Sequence, residues 1–204
     1  IDKRTNQLKK SLFTRTKASY ICFNQAIASQ VKPYLPSQAQ LLTAQEAEAG
    51  QSLLEEVYLV DCPQSLGQFK ELLPQISDKQ VVLYFFKPSS LYFNGLPQPE
   101  DFNRVYKYLI GHKSLPLDQA QSRLPNYLRM TSVTFNLVIQ VFLEVNFVKI
   151  ESGRLIFEGS HQKIDLEATS TYQSMQAAME AEEALLFSPK DQVRSYFDAE
   201  LNKE

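Results

Sequence analysis

The chain has 204 residues, with 21 Lys and Arg against 23 Asp and Glu for a formal charge of −2, and 44% of it is hydrophobic. That length buries a sizeable core as one large domain or two small ones, and the ordinary balance of apolar and charged residues excludes general disorder. No apolar run approaches the roughly 20 residues of a membrane helix, so no membrane partner is expected.

Residues 1–19 are polar and basic and read as a leading segment joined to something upstream; Ile1-Asp2-Lys3-Arg4 is not a signal peptide, and a start at Ile suits a piece of a longer protein. Tyr20-Ile21-Cys22-Phe23 reads as a strand, and residues 24–33 as a helix with Asn24 as N-cap, stopped by Pro33 and Pro36. Gln40–Thr43 suits a second short strand, and residues 44–54 are helical or irregular. Val57–Asp61 and Val81–Phe86 are apolar strands flanking a helix with Leu66, Phe69, Leu72 and Leu73 at helical spacing. Strands apolar throughout, alternating with helices, predict a parallel sheet covered on both faces, so residues 20–90 form a small α/β domain.

Pro and Gly punctuate residues 87–101, which mark a boundary. A helix over 99–112 has Glu100 and Asp101 in its first turn. An extended piece follows at Ser114–Leu117, then helices from an Asp118 cap to about Leu128 and from Thr131 or Ser132 to Asn146. Phe147–Ile150 and Arg154–Phe157 around Glu151-Ser152-Gly153 predict a hairpin. Helix, short strand, helix, helix, hairpin is the order of a winged helix, here over residues 91–160. Residues 161–204 form a helical tail, whose last helix starts at Ser188-Pro189-Lys190-Asp191 and buries Val193, Tyr196 and Phe197. The fold class is therefore α/β with a winged-helix-like α+β domain and C-terminal helices.

The six glycines form no phosphate-binding loop, so no nucleotide is expected. Asp61-Cys62 ends a strand at a place where α/β sheets often build sites. Capping of the following turn by Asp61, with Cys62 in the core, is the simpler reading. Cys22 and Cys62 are too few for a disulfide framework or a four-cysteine zinc site and suit a reducing cytoplasm. His112, at a helix end, and His161, in a polar loop, have no ligand neighbours at a familiar spacing.

Charge is uneven along the chain. Residues 1–33 carry seven basic groups and one acid, residues 34–101 three and nine, residues 102–163 eight and four, and residues 164–204 three and nine. Such asymmetry can mark a nucleic-acid face on an acidic molecule. The expected recognition helix, Ser132–Glu144, has no Lys or Arg, and only Asn136 and Gln140 can read bases, which argues against a free-standing winged-helix regulator. The candidate contacts to DNA or a partner are Lys9, Lys10, Arg15 and Lys17, then Arg104, Lys107, Arg123, Arg129, Lys149 and Arg154, with Tyr92 and Phe93 as bases for stacking.

The run Leu91-Tyr92-Phe93-Asn94-Gly95-Leu96-Pro97 leads into Phe102-Asn103-Arg104-Val105-Tyr106. Val141–Ile150, Lys163–Gln173 and Leu185–Pro189 follow. Together these resemble the C-terminal domain of long bacterial RecJ, the single-strand-specific DNA exonuclease of repair and recombination. The resemblance covers nearly the whole chain. It implies an accessory module that guides single-stranded DNA, binds a partner such as single-strand-binding protein, or braces the exonuclease core in cis. The family's catalytic centre holds two divalent metals (Mg or Mn) on Asp and His; no Asp-His-His run occurs here, so no catalytic or metal residue carries over and no cofactor is expected in this chain. The α/β half also looks like a helicase lobe stripped of its nucleotide residues.

Overall fold

The computed structural model describes residues 1–159 and 165–201. The fold is α/β, and it divides into two compact units: Ile1–Ser90 together with the stretch from Ala177 onward, and Leu91–Gln176.

The first unit is built on four parallel strands, β1 (Ala18–Cys22), β2 (Gln40–Thr43), β3 (Glu56–Asp61) and β4 (Gln80–Phe86), in the order β2-β1-β3-β4. Helices α1 (Gln25–Val31), α2 (Ala44–Glu48) and α3 (Leu66–Ile76) connect them. Side-chain oxygens start each helix: Asn24 accepts from Ala26 N, Thr43 from Glu46 N, and Ser65 from Gln68 N. Alternation along each strand divides its side chains between two cores. Tyr20, Tyr58 and Tyr84 face one way, with ring centroids 4.8 Å and 5.4 Å apart along the row. Ile21, Leu59 and Phe85 face the other and meet α3. Burial on both faces is why the runs Val57–Val60 and Val81–Phe86 are apolar without a break.

Residues 1–19 carry structure of their own. Leu83 N–H donates to Ile1 O and Lys3 N–H to Leu83 O, both at 2.9 Å, so Asp2 lies in a parallel bridge beyond β4. Phe13 is buried, its ring 5.4 Å from Tyr20.

Near its end the chain forms α8 (Ser170–Ala181), a π-helical turn (Glu182–Phe187) and α9 (Lys190–Leu201). Leu185 and Val193 are buried in the core of α3, and Phe197 packs edge-on to Phe69 at 4.7 Å. Tyr196 and Phe197 complete the apolar face expected of the last helix. Arg4 donates through Nη1 to the carbonyls of Leu185, Leu186 and Ser188, at 3.1, 2.9 and 2.7 Å. Because Val193 belongs to this core, Val193→Ala should lower unfolding stability by about 2 kcal/mol, the loss of two buried methyl groups plus the space left behind. Urea denaturation measures it, and an unchanged midpoint would detach α9 from the core.

The second unit runs α4 (Leu91–Asn94), α5 (Pro99–Gly111), β5 (Ser114–Pro116), α6 (Leu117–Tyr127), α7 (Ser132–Glu144), β6 (Val148–Glu151) and β7 (Arg154–Phe157). β5, β7 and β6 form an antiparallel sheet in that order. The core gathers Phe102 and Leu109 from α5, Phe135 and Phe142 from α7, and Leu155 from β7. The hairpin turns on two residues rather than three: Ser152 and Gly153 have φ of 49° and 72°, the pair of positive values that a tight hairpin demands. α6 begins one residue before Asp118, which sits in its first turn, where a negative charge meets the helix dipole. Thr131 caps α7, and Glu144 at the other end of α7 accepts from the backbone of Ser170 and Thr171, both at 2.8 Å. Those bonds, Thr171 first, pull the Glu144 carboxyl down to about 2. His161 and Lys163 lie outside the described residues.

Candidate nucleic-acid interface

In the order β2-β1-β3-β4 the chain leaves β1 toward one edge and returns to the other side at β3. The carboxyl ends of β1 and β3 therefore flank the crevice where α/β sheets bind ligands. Asp61 occupies that place at 3% exposure. Its carboxylate accepts from Phe23 N at 2.7 Å and Asn24 N at 2.9 Å. The N–H groups leading into α1, which a phosphate would otherwise use, are thus taken by the protein's own anion. Asp61 holds the turn after β1 and not, as the sequence suggests, the turn after its own strand.

Burial raises the Asp61 carboxyl to about 7, outweighing the two N–H bonds that favour its charged form. Burial likewise pushes the Cys62 thiol up to about 12, and the Cys22 thiol rises for the same reason. At the end of β4, Lys87 Nζ lies 2.8 Å from Glu182 Oε1, and the Ser90 hydroxyl donates to Glu182 Oε2 at 2.6 Å. Glu182 is fully buried. Among the described residues no three His, Cys, Asp or Glu side chains gather as a metal site.

The candidate cations fall in both units. In the first, Lys9, Lys10, Arg15 and Lys17 are exposed. Arg15 is drawn to Glu56, Nε to Oε2 3.5 Å, and its backbone N–H donates to the Tyr20 hydroxyl. In the second, the hairpin cations are engaged: Lys149 Nζ is 2.8 Å from Glu158 and 3.3 Å from Glu151, and Arg154 donates to Ser114 Oγ at 2.7 Å. Tyr92 and Phe93, on α4, are 41% and 75% exposed and meet edge to face at 5.6 Å.

Arg104, Lys107, Arg123 and Arg129 fall on or beside the helices of the second unit. All four are exposed, and all lie on α5, α6 or the loop after α6. Arg104 pairs with Asp101 and donates through Nη1 to the carbonyls of Leu128 and Arg129, at 2.8 and 3.2 Å. That anchors α5 to the end of α6. Over residues 102–130 there are five basic groups and one acid, Asp118.

The helices also bring together three aromatic rings that sequence reasoning missed. His112 stacks on Tyr108 with centroids 4.2 Å apart and planes 9° from parallel, its Nδ1 3.0 Å from Tyr108 O. Tyr127 meets Tyr108 edge to face at 5.4 Å. The signal was present as helical spacing: Arg104 and Tyr108 on α5 and His112 at its C-cap are four residues apart, and Arg123 and Tyr127 are four apart on α6. What the sequence does not show is that the two stripes adjoin.

By contrast, Asn136 and Gln140 of α7 border a cavity of about 320 Å³ with Gln121 and Ile150 on its rim and no charged residue in its lining.

The architecture defines the class: a parallel α/β unit whose ligand crevice is filled from within, with a helix-and-hairpin unit bearing a basic, aromatic face. The chain belongs to the family described as the single-strand DNA-specific exonuclease C-terminal domain, which matches residues 1–197. It is 25% identical over 142 residues to the single-stranded-DNA-specific exonuclease RecJ of Bacillus subtilis (strain 168), a match covering 70% of this chain and 18% of that relative. No solved structure matches the chain. No helix among the described residues is long and apolar enough to cross a membrane.

Proposed function

We propose that this chain is an accessory module of a RecJ-like 5′–3′ exonuclease specific for single-stranded DNA, acting in cytoplasmic DNA repair and recombination. In this reading the second unit is a winged-helix form that guides the substrate strand toward a catalytic core elsewhere in the polypeptide, and the divalent metals belong to that core. The family match over residues 1–197 carries the reading. The excess of basic groups over residues 102–130 supports DNA as the ligand of this portion.

The test is fluorescence anisotropy of a labelled single-stranded oligonucleotide titrated with the 204-residue chain at two salt concentrations. Binding that weakens steeply with salt is expected, since each phosphate contact releases counterions. No binding at low salt would overturn DNA guidance.

A second reading rests on the uncharged cavity beside α7. A phosphate backbone gains nothing from such a lining, whereas a neutral protein surface fits it. The exonuclease core in cis, or single-strand-binding protein, is the partner in that case.

A further inference from the structure

We propose that the outer face of α5 and α6 is a base-stacking platform for single-stranded DNA, with Tyr127 as the open ring and Lys107, Arg123 and Arg129 as its phosphate contacts. The inference rests on the DNA-guidance reading and adds the place and the chemistry of contact.

Three observations carry it. First, Tyr127 is 72% exposed, so folding has left a large aromatic surface in water. Burial does not explain this side chain. Second, Tyr127 is held in place: its edge-to-face contact with Tyr108, itself stacked on His112, fixes the ring without covering it. A ring immobilised before a base arrives loses less entropy on stacking than a freely rotating one. Third, basic groups outnumber acids around the rings, five to one over residues 102–130. Arg123 lies one helical turn before Tyr127, Lys107 and Arg104 precede Tyr108 on α5, and Arg129 follows α6. A rigid aromatic surface flanked by cations is the combination that binds single strands without reading sequence. A duplex hides its base faces in the stack, so this surface prefers a single strand. An acidic peptide would meet the same cations but would draw nothing specific from the flat ring.

Because Tyr127 is so exposed, its replacement leaves the core untouched, and because the chain has no tryptophan, Tyr127→Trp introduces a single fluorescent reporter. Anisotropy titrations would compare the wild-type chain with Tyr127→Ala, Tyr127→Phe and Tyr127→Trp. The probes are an oligo-dT strand and an abasic strand of equal length. The expected result is a roughly 5- to 150-fold loss of oligo-dT affinity in Tyr127→Ala, the value of one lost stacking partner. Phe and Trp should preserve binding, the abasic strand should be bound equally by all variants, and oligo-dT should quench the emission of the introduced tryptophan. Salt-dependent binding that Tyr127→Ala leaves unchanged, or a tryptophan that oligo-dT does not quench, would overturn the platform while leaving DNA guidance standing. Absence of binding by the wild-type chain would overturn both.

Discussion

Asp61→Ala should lower the free energy of unfolding at neutral pH by about 2–5 kcal/mol, measured by urea denaturation, because it strips the acceptor from two backbone N–H groups. An alanine at this buried position leaves both donors without their carboxylate acceptor. Asparagine should cost less, since its carbonyl still accepts while its amide replaces an acceptor by a donor. The same site predicts a pH dependence. The carboxyl rises from 3.8 to about 7 on folding, so between those values the folded chain holds a proton that the unfolded chain has released. Its stabilising contribution is complete below pH 3.8 and is lost as pH rises through 7, with a slope of at most about 1.4 kcal/mol per pH unit. Asp61→Asn should flatten stability across that window. A variant that loses stability with pH as steeply as the parent would show that Asp61 does not titrate there.

Lys87→Met should cost about 3–5 kcal/mol, as it withdraws the cation lying 2.8 Å from a fully buried carboxylate. Glu182 keeps the hydroxyl of Ser90, but a hydrogen bond does not offset the removal of the opposite charge from a low-dielectric site. The pair need not contribute net stability. Two buried charges cost so much desolvation that Lys87→Met combined with Glu182→Leu should regain most of the loss. Chemical denaturation of the wild type, both single variants and the double variant forms the cycle. A double variant as unstable as the sum of the singles would mean that the two side chains act independently.

Much of the α/β unit was legible because burial on both faces writes itself into continuous apolar strands, as at Val57–Asp61 and Val81–Phe86. The helix-and-hairpin order was legible because its elements carry their own boundary signals, such as Gly153 in the hairpin turn or the Thr131 cap that starts α7. Partnership between distant residues was not. Asp61 sits next to Pro63 and Ser65 in sequence, which suggests a local turn, yet its hydrogen bonds reach back 37 and 38 residues to the preceding crossover. Arg4 reads as one more cation of a basic stretch, but it is spent on carbonyls more than 180 residues away. Likewise, the sequence reading selected Arg104 and Arg123, with Tyr92 and Phe93 for stacking, and passed over Tyr108 and Tyr127, whose meaning depends on helix packing. The hairpin cations Lys149 and Arg154 look like their neighbours on α5 in sequence, and only the structure shows Glu158 and Ser114 beside them.

The first unit is sewn from two stretches of chain with Leu91–Gln176 spliced between them. During synthesis β1 to β4 emerge before the second unit, yet Leu185 and Val193 of their core are translated only after it. The sheet must therefore wait, partly uncovered, while the second unit is made, since domains otherwise tend to fold in order from the N-terminus. Closing so long a loop costs more entropy than closing a short one, but the cost grows only logarithmically with its length, and a folded insert shortens the loop further. The spliced unit thus serves as a spacer in folding: its own completion brings the two halves of its host within reach, which ties the maturation of the α/β layer to that of the helix-and-hairpin unit.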